Sequence, residues 1–285
     1  MLKANVETFL GCDCPADEAR TVLFGAPFDS TTSFRPGTRF GPSAIRHESF
    51  GVETYSPYQD RDLEDAHVLD VGDLELCFGS AEKALGDIEA QTEEILDAGK
   101  RPFLLGGEHL VTLGAMRAVA GRYPDLHIIH LDAHADLRDD YLGANLSHAC
   151  VIRRCWDLVG DGRIFQFGIR SGERAEFAWG RDHVTTQKFN LEGLGKTVEA
   201  LKDKPVYFTL DLDVLDPSVF PGTGTPEAGG ISFEALRTAI TLICSKLNIV
   251  ACDVNELAPT LDPSGVSTAV ACKVVREMLL AFPDY

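Results

Sequence analysis

Leu126-His-Ile-Ile-His-Leu131 runs straight into Asp132-Ala-His134-Ala-Asp136, and this stretch decides how the chain is read. The first half is a short apolar run that does not alternate cleanly with polar residues. A strand covered on both faces has that look, as in a parallel sheet wrapped by helices. Similar runs occur at Thr21–Phe24, His67–Val71, Arg101–Leu105, Arg163–Ile169, Val206–Leu210 and Ile249–Val254. The intervals carry helical periodicity. Ser80 can cap a helix that puts Leu85, Ile88, Thr92 and Ile95 on one face, with Gly99 as its stop. Ser232 opens another, with Phe233, Leu236, Ile240, Ile243 and Leu247 at spacings of three and four, and a last helix is expected from about Gly265 to Ala281. Strand and helix thus alternate with no repeat, low-complexity tract or linker. The expectation is one α/β domain over residues 1–285: a three-layer α/β/α fold with a mainly parallel central sheet. Such sheets bind ligands at the carboxyl ends of their strands, so polar residues just after the apolar runs are the ones to inspect.

Residues two apart on an extended chain point the same way. Asp132, His134 and Asp136 therefore converge if the strand persists. Carboxylates and an imidazole aimed at one point repel or desolvate each other unless a cation holds them. The alternative is a polar loop with a chance histidine. Val206–Leu210 runs into Asp211-Leu-Asp213-Val-Leu-Asp216-Pro, which repeats the pattern on a second strand. Asp216 precedes a proline and reads as a loop-fixing carboxylate. Arg101–Leu105 ends in Gly106-Gly-Glu-His109, where the paired glycines are expected to let the backbone turn sharply. His109 alone would read as structural; beside five other candidates at neighbouring strand ends it reads as a ligand. Four aspartates and two neutral histidines sum to −4, which two divalent cations balance. Oxygen-rich sites with some imidazole suit manganese better than thiolate-seeking ions. Two ions ~3.5–4 Å apart can lower the pKa of a shared water towards neutrality. His127 and His130, within the apolar strand, and His183, in a charged loop, read as structural.

The 285 residues are 45% hydrophobic and 25% charged, close to a soluble globular average. Lys plus Arg is 26 and Asp plus Glu is 44, so the formal charge is 26 − 44 = −18. That sign disfavours nucleic acid and anionic membranes as partners and fits a cationic small substrate. No stretch approaches the ~20 apolar residues of a membrane span, and Met1-Leu-Lys-Ala-Asn-Val-Glu7 lacks the apolar core of a signal peptide. Eight scattered cysteines without a CxxC pair read as reduced thiols of a cytoplasmic protein. The pair Cys12-x-Cys14 reads as a plain N-terminal segment, with redox activity as the alternative.

Taken together, Gly106-Gly-Glu-His109, Asp132-Ala-His-Ala-Asp136, Asp211-Leu-Asp213-Val-Leu-Asp-Pro-Ser218 and Gly222-Thr-Gly-Thr-Pro226 resemble the ureohydrolases, the arginases and agmatinases, in order and separation. Gly25-Ala-Pro-Phe-Asp29 and Arg35-Pro-Gly-Thr-Arg39-Phe-Gly-Pro-Ser-Ala-Ile-Arg46 look like the agmatinase branch, most similar to its bacterial members. The resemblance implies two manganese ions per chain. His109, Asp132, Asp136 and Asp211 would hold one, and Asp132, His134, Asp211 and Asp213 the other. It implies a guanidinium-binding glutamate, for which Glu256 in Asp253-Val-Asn-Glu256 is the candidate. A planar cation with a fork of donors is indeed best met by a carboxylate. It also implies a mobile proton-carrying histidine, His148, although Ala149 follows it where arginases usually have glycine. Alone, His148 after Ser147 could equally cap the next helix. Thr225 matches a threonine near the guanidinium, with Glu227 a weaker candidate. Asp136 could pass a proton to the leaving nitrogen.

The reaction implied is hydrolysis of a guanidino compound to urea and a primary amine, with agmatine giving putrescine as the preferred case. Arginase, guanidinobutyrase and formiminoglutamase activities keep the chemistry and change the tail; each needs a donor for a substrate carboxylate, and Arg138 is available for that. A two-metal phosphoesterase would need Arg or Lys near the metals, whereas Glu256 repels phosphate. A non-catalytic metal-binding protein of the same fold is the remaining alternative. The family implies homotrimers or homohexamers.

Overall fold

The apolar runs pair side by side, because neither face of them can be left to water. A computed structural model describes residues 7–283, so the opening segment read for a signal peptide lies outside the described residues up to Val6. In chain order come β1 (Thr21–Ala26), α1 (Gly41–Ser49), the short pair β2 (Tyr55–Ser56) and β3 (Arg61–Asp62), β4 (Val68–Asp73) and α2 (Ala81–Asp97). Then follow β5 (Arg101–Gly106), α3 (Val111–Arg122), β6 (His127–Leu131), α4 (Val151–Val159), β7 (Ile164–Ile169) and α5 (Arg174–His183). The chain ends with β8 (Thr185–Lys188), α6 (Leu194–Leu201), β9 (Pro205–Asp211), α7 (Phe233–Lys246), β10 (Asn248–Asn255) and α8 (Val266–Ala281).

Eight strands form one sheet in the order β4-β1-β5-β10-β9-β6-β7-β8. Every neighbouring pair in it is parallel. Consecutive residues of a strand feed opposite layers. Phe103 and Leu105 pack in one core with α1, α6, α7 and α8, while Leu104 packs in the other with α2, α3 and α4. Burying each such side chain contributes about 1.5–3 kcal/mol. This is the expected three-layer arrangement. All seven predicted strands are present, and β8 and the short pair β2 and β3 are additions. The predicted caps hold as well: Ser80 accepts from Lys83 N at 3.2 Å and Ser232 from Ala235 N at 3.2 Å. Leu85, Ile88, Thr92 and Ile95 are buried along α2, as their spacing requires. Among the described residues, no helix is long and apolar enough to cross a membrane.

The topology positions the site. β5 and β6 are consecutive in sequence but are separated in the sheet by β10 and β9. The segments after β5, β10, β9 and β6 therefore open side by side at one end.

Candidate metal and active site

His109 follows β5, Asp132 to Asp136 follow β6, Asp211 and Asp213 follow or end β9, and Glu256 follows β10. All six predicted ligands and Glu256 thus sit at four adjacent strand ends. Two groups have ligand atoms within 4.8 Å of one another: His109, His130, Asp132 and Asp136, and Asp132, His134 and Asp213. Asp132 belongs to both. Asp211 joins the first through its Oδ2, 3.4 Å from His109 Nδ1.

Two expectations about the backbone need correction. The strand does not persist through Asp136: β6 ends at Leu131. Convergence comes instead from a tight turn in which His134 N donates to Asp132 Oδ1 at 2.5 Å and Asp136 adopts a left-handed φ of 53°. Nor are the glycines after β5 there for a turn, since neither has a positive φ. A Cβ on Gly107 would run into the Phe28 backbone, and one on Gly106 into the Asn255 side chain. They permit close approach.

The hydrogen-bond network fixes the tautomers. Thr209 Oγ1 donates to Asp253 Oδ1 at 2.6 Å, so its bond with His109 Nε2 at 2.8 Å takes the imidazole's proton. Asp253 stays a good acceptor because Tyr207 Oη, at 2.6 Å, and Asn255 Nδ2, at 2.7 Å, also donate to it. His109 Nδ1 is then a bare lone pair, 3.0 Å from Asp132 Oδ2, 3.3 Å from Asp136 Oδ2 and 3.4 Å from Asp211 Oδ2. In the neutral imidazole, four lone-pair atoms therefore face one point, an arrangement that only a cation or added protons can satisfy. His109 Nδ1 and Asp213 Oδ2 are buried and without a hydrogen-bond partner among the described residues. A buried polar atom left unpaired costs about 1–3 kcal/mol. A cation at that point pairs them, so the donor set fits a hard or borderline divalent metal.

Electrostatics carry the same message. Burial alone would lower the pKa of His109, yet Asp132, Asp136 and Asp211 push it well above the usual imidazole range. His134 is driven the same way, against burial, by Asp213 and Asp132. Burial first, then Asp213 and Asp132, push Asp211 well above the carboxylate range. Metal-free, the group relieves its charge by holding protons; a metal would replace them.

His130 has a role that its position inside an apolar strand concealed. Gln166 Nε2 donates to the Ala135 carbonyl at 2.8 Å, which fixes the amide, and also to His130 Nδ1 at 3.0 Å. His130 therefore donates from Nε2 to Asp132 Oδ2 at 2.8 Å. Both its nitrogens are occupied, so it orients the shared carboxylate instead of ligating. A fully buried histidine two residues before Asp132 was the available signal.

The cavity in front of these groups, about 260 Å³, is lined among others by His148, Thr225, Glu256, Arg138 and Glu173. Glu256 has a left-handed φ of 69°, and its Oε1 accepts from His109 N at 2.7 Å. Burial, then Glu108 and Asp213, push its pKa well up. His148 N donates to Thr31 Oγ1 at 3.1 Å, and its Nε2 lies 3.2 Å from Ser33 Oγ. Ser147, not His148, makes the cap, accepting from Ala149 N at 3.4 Å. Burial lowers the pKa of His148, which leaves it neutral near pH 7. Thr225 lies in a loop that Arg35 holds through the carbonyls of Thr223 and Gly224, at 2.8 and 3.1 Å. Asp216 ties the same loop down, and its bonds with Ser218 and the Gly229 and Gly230 amides bring its pKa to about 2. Glu227 Oε1 accepts from Ser171 Oγ at 2.9 Å. Glu108 was not singled out by sequence; fully buried, it accepts from Thr31 Oγ1 at 2.6 Å and Thr32 Oγ1 at 3.0 Å and so anchors the loop that carries Ser33.

Residues 19–281 match the family model described as the arginase family. The chain is 48% identical over 269 residues to the agmatinase of Bacillus anthracis, covering 93% of each. It superposes on the crystal structure of a candidate agmatinase from Clostridium difficile with a TM-score of 0.91, at 48% identity over 94% of this chain and 98% of that one. For the agmatine ureohydrolase of Thermoplasma volcanium the TM-score is 0.89, at 33% identity over 98% and 94%. The chain therefore belongs to the arginase family, the ureohydrolases, is similar to bacterial agmatinases, and is a hydrolytic enzyme of the amidinohydrolase type.

Proposed function

We propose that residues 1–285 act as one ureohydrolase domain that hydrolyses agmatine to putrescine and urea with two Mn²⁺ ions. The convergence of His109 Nδ1 with three carboxylate oxygens, in front of a cavity that also holds Glu256, carries this reading. His109, Asp132, Asp136 and Asp211 would hold one ion and Asp132, His134, Asp211 and Asp213 the other. When bound, the pair supplies a water activated for attack at neutral pH. The chain's own residues do the rest. Glu256 binds and orients the guanidinium, whose positive charge offsets the repulsion from Glu108 and Asp213. Thr225 adds a hydroxyl beside it. Asp136 passes the attacking water's proton to the leaving nitrogen, and His148, close to Ser33, exchanges protons with solvent.

The tail preference rests on Arg138. Its Nη1 lies 2.8 Å from Glu173, its Nε 3.6 Å from Glu176, and its guanidinium 4.3 Å from the Tyr141 ring centroid. Its charge is already matched, so a substrate carboxylate would have to displace Glu173. An amine tail meets the acidic side of that pair without doing so. This favours agmatine over arginine, guanidinobutyrate and formiminoglutamate. The cation-selecting Glu256 argues against a phosphoesterase, and family membership against a non-catalytic role. A cytoplasmic homotrimer or homohexamer is part of the same proposal.

Urea release from agmatine, arginine and guanidinobutyrate, measured side by side with manganese added, tests the assignment. Agmatine is expected to have the highest kcat/KM by tenfold or more. Arginine turned over best would overturn it.

A further inference from the structure

At the far end of the sheet, Cys14, Glu18 and His67 place a sulfur, a carboxylate oxygen and a ring nitrogen within 4.8 Å of one another. Cys14 Sγ is 3.9 Å from His67 Nδ1. The backbone brings them together. Cys14 N donates to the Val68 carbonyl at 3.1 Å, Asp70 N to the Cys12 carbonyl at 2.8 Å, and Arg20 N to the His67 carbonyl at 2.8 Å. Glu18 comes round on the Pro15 turn, where its N donates to the Pro15 carbonyl at 3.0 Å. Asp13 and Glu64 line the same cavity, which adds negative potential. The nearby cation, Lys100, has its ammonium on the carbonyls of Ala16 and Ala19, at 2.5 and 2.6 Å.

We propose that Cys14, His67 and Glu18 form a second metal site, for zinc, separate from the centre at the carboxyl ends of the strands. A zinc ion about 2.3 Å from sulfur and about 2.0–2.1 Å from nitrogen, at a tetrahedral angle, sets those atoms about 3.6 Å apart. The observed 3.9 Å needs a shift of a few tenths of an ångström. Thiolate with imidazole selects zinc over manganese. Burial and Glu18 keep the free thiol protonated. Binding forms the zinc–sulfur bond and releases that proton to solvent, with water completing four-coordination. The consequence is structural. β4 is an edge of the sheet, and residues 12–14 cover it through the Asp13–Leu69 bridge. Zinc would staple that cover in place.

The test is a cobalt(II) titration of manganese-loaded full-length protein, followed by the near-ultraviolet sulfur-to-cobalt charge-transfer band. One equivalent is expected to develop the band. Cys14→Ser and His67→Asn, checked for folding by circular dichroism, are expected to lose it, and Cys77→Ser to keep it. Zinc is expected to raise the thermal midpoint of the wild type and not of Cys14→Ser, with affinity at least tenfold weaker in Glu18→Gln. No band in the wild type, or a band that survives in Cys14→Ser, overturns the proposal.

Discussion

The two ends of the sheet hold their charges in opposite ways. At the amino ends of β1, β5 and β10 lies a cavity of about 560 Å³ lined by Arg20, Lys100, Arg101 and Arg122. At the carboxyl ends the cavity is less than half that size, about 260 Å³. Volume alone would point to the wrong end. The cations at the amino end are partnered: Arg101 Nε donates to the Ile249 carbonyl at 2.8 Å and its guanidinium lies 4.1 Å from the Phe282 ring centroid, while Arg122 pairs with Asp97 at 2.9 Å. At the carboxyl end, His109 Nδ1 and Asp213 Oδ2 have no hydrogen-bond partner among the described residues. Chemistry is found where buried polar atoms lack partners, not where space is largest.

Substitutions at the two ends put that contrast to the test. The largest effect is expected from Asp213→Ala, which removes a proposed ligand whose Oδ2 lies 3.0 Å from His134 Nδ1. Metal-ion stabilisation is worth several kcal/mol, so urea release should fall on the order of 10²–10⁴-fold while helix content is unchanged. Unaltered turnover would remove Asp213 from the metal set. Thr209→Val comes next. It deletes the acceptor of the His109 Nε2 proton, the contact that bares Nδ1. Such outer partners are worth roughly 10–100-fold in metal affinity, readable by manganese titration with electron paramagnetic resonance. An unchanged affinity would show that the tautomer needs no threonine. Arg101→Ala should do least. It is expected to leave kcat/KM within about twofold and to lower stability by about 1–2 kcal/mol, through loss of its hydrogen bonds to Ile249 and Thr21 and its cation–π contact with Phe282, measured by urea denaturation. A large loss of activity there would break the contrast.

The fold was legible wherever burial wrote a uniform signal. The seven apolar runs and the caps at Ser80 and Ser232 follow from local rules, and β8 does not. Its residues Thr185–Lys188 are polar and partly exposed, since an edge strand packs against one neighbour only. The cluster of acidic and imidazole groups was legible because acidic residues at the ends of apolar strands are costly without a purpose. Their supports were not. Thr209, Asp253 and Gln166 act across strands, and the loop of Thr31 reaches Glu108 and His148, 77 and 117 residues away in sequence. Such partnerships exist only once the sheet order is known. The turn after β6 was misread for the same reason, because alternation along an extended chain imitates convergence by a bend.

Asp136 and Glu256 share the left-handed backbone noted above, at φ 53° and 69°. Non-glycine residues there carry of order 1–3 kcal/mol of strain each. Glu256 is kept in place by its own amide on the Gly107 carbonyl, at 2.9 Å, and by its carboxylate on His109. A redesign that sought only to relieve this strain would put glycine, which adopts that backbone without a steric cost, at both positions. It would arrive at a scaffold with both of these cavity-facing carboxylates erased, so hardening this molecule has to begin elsewhere.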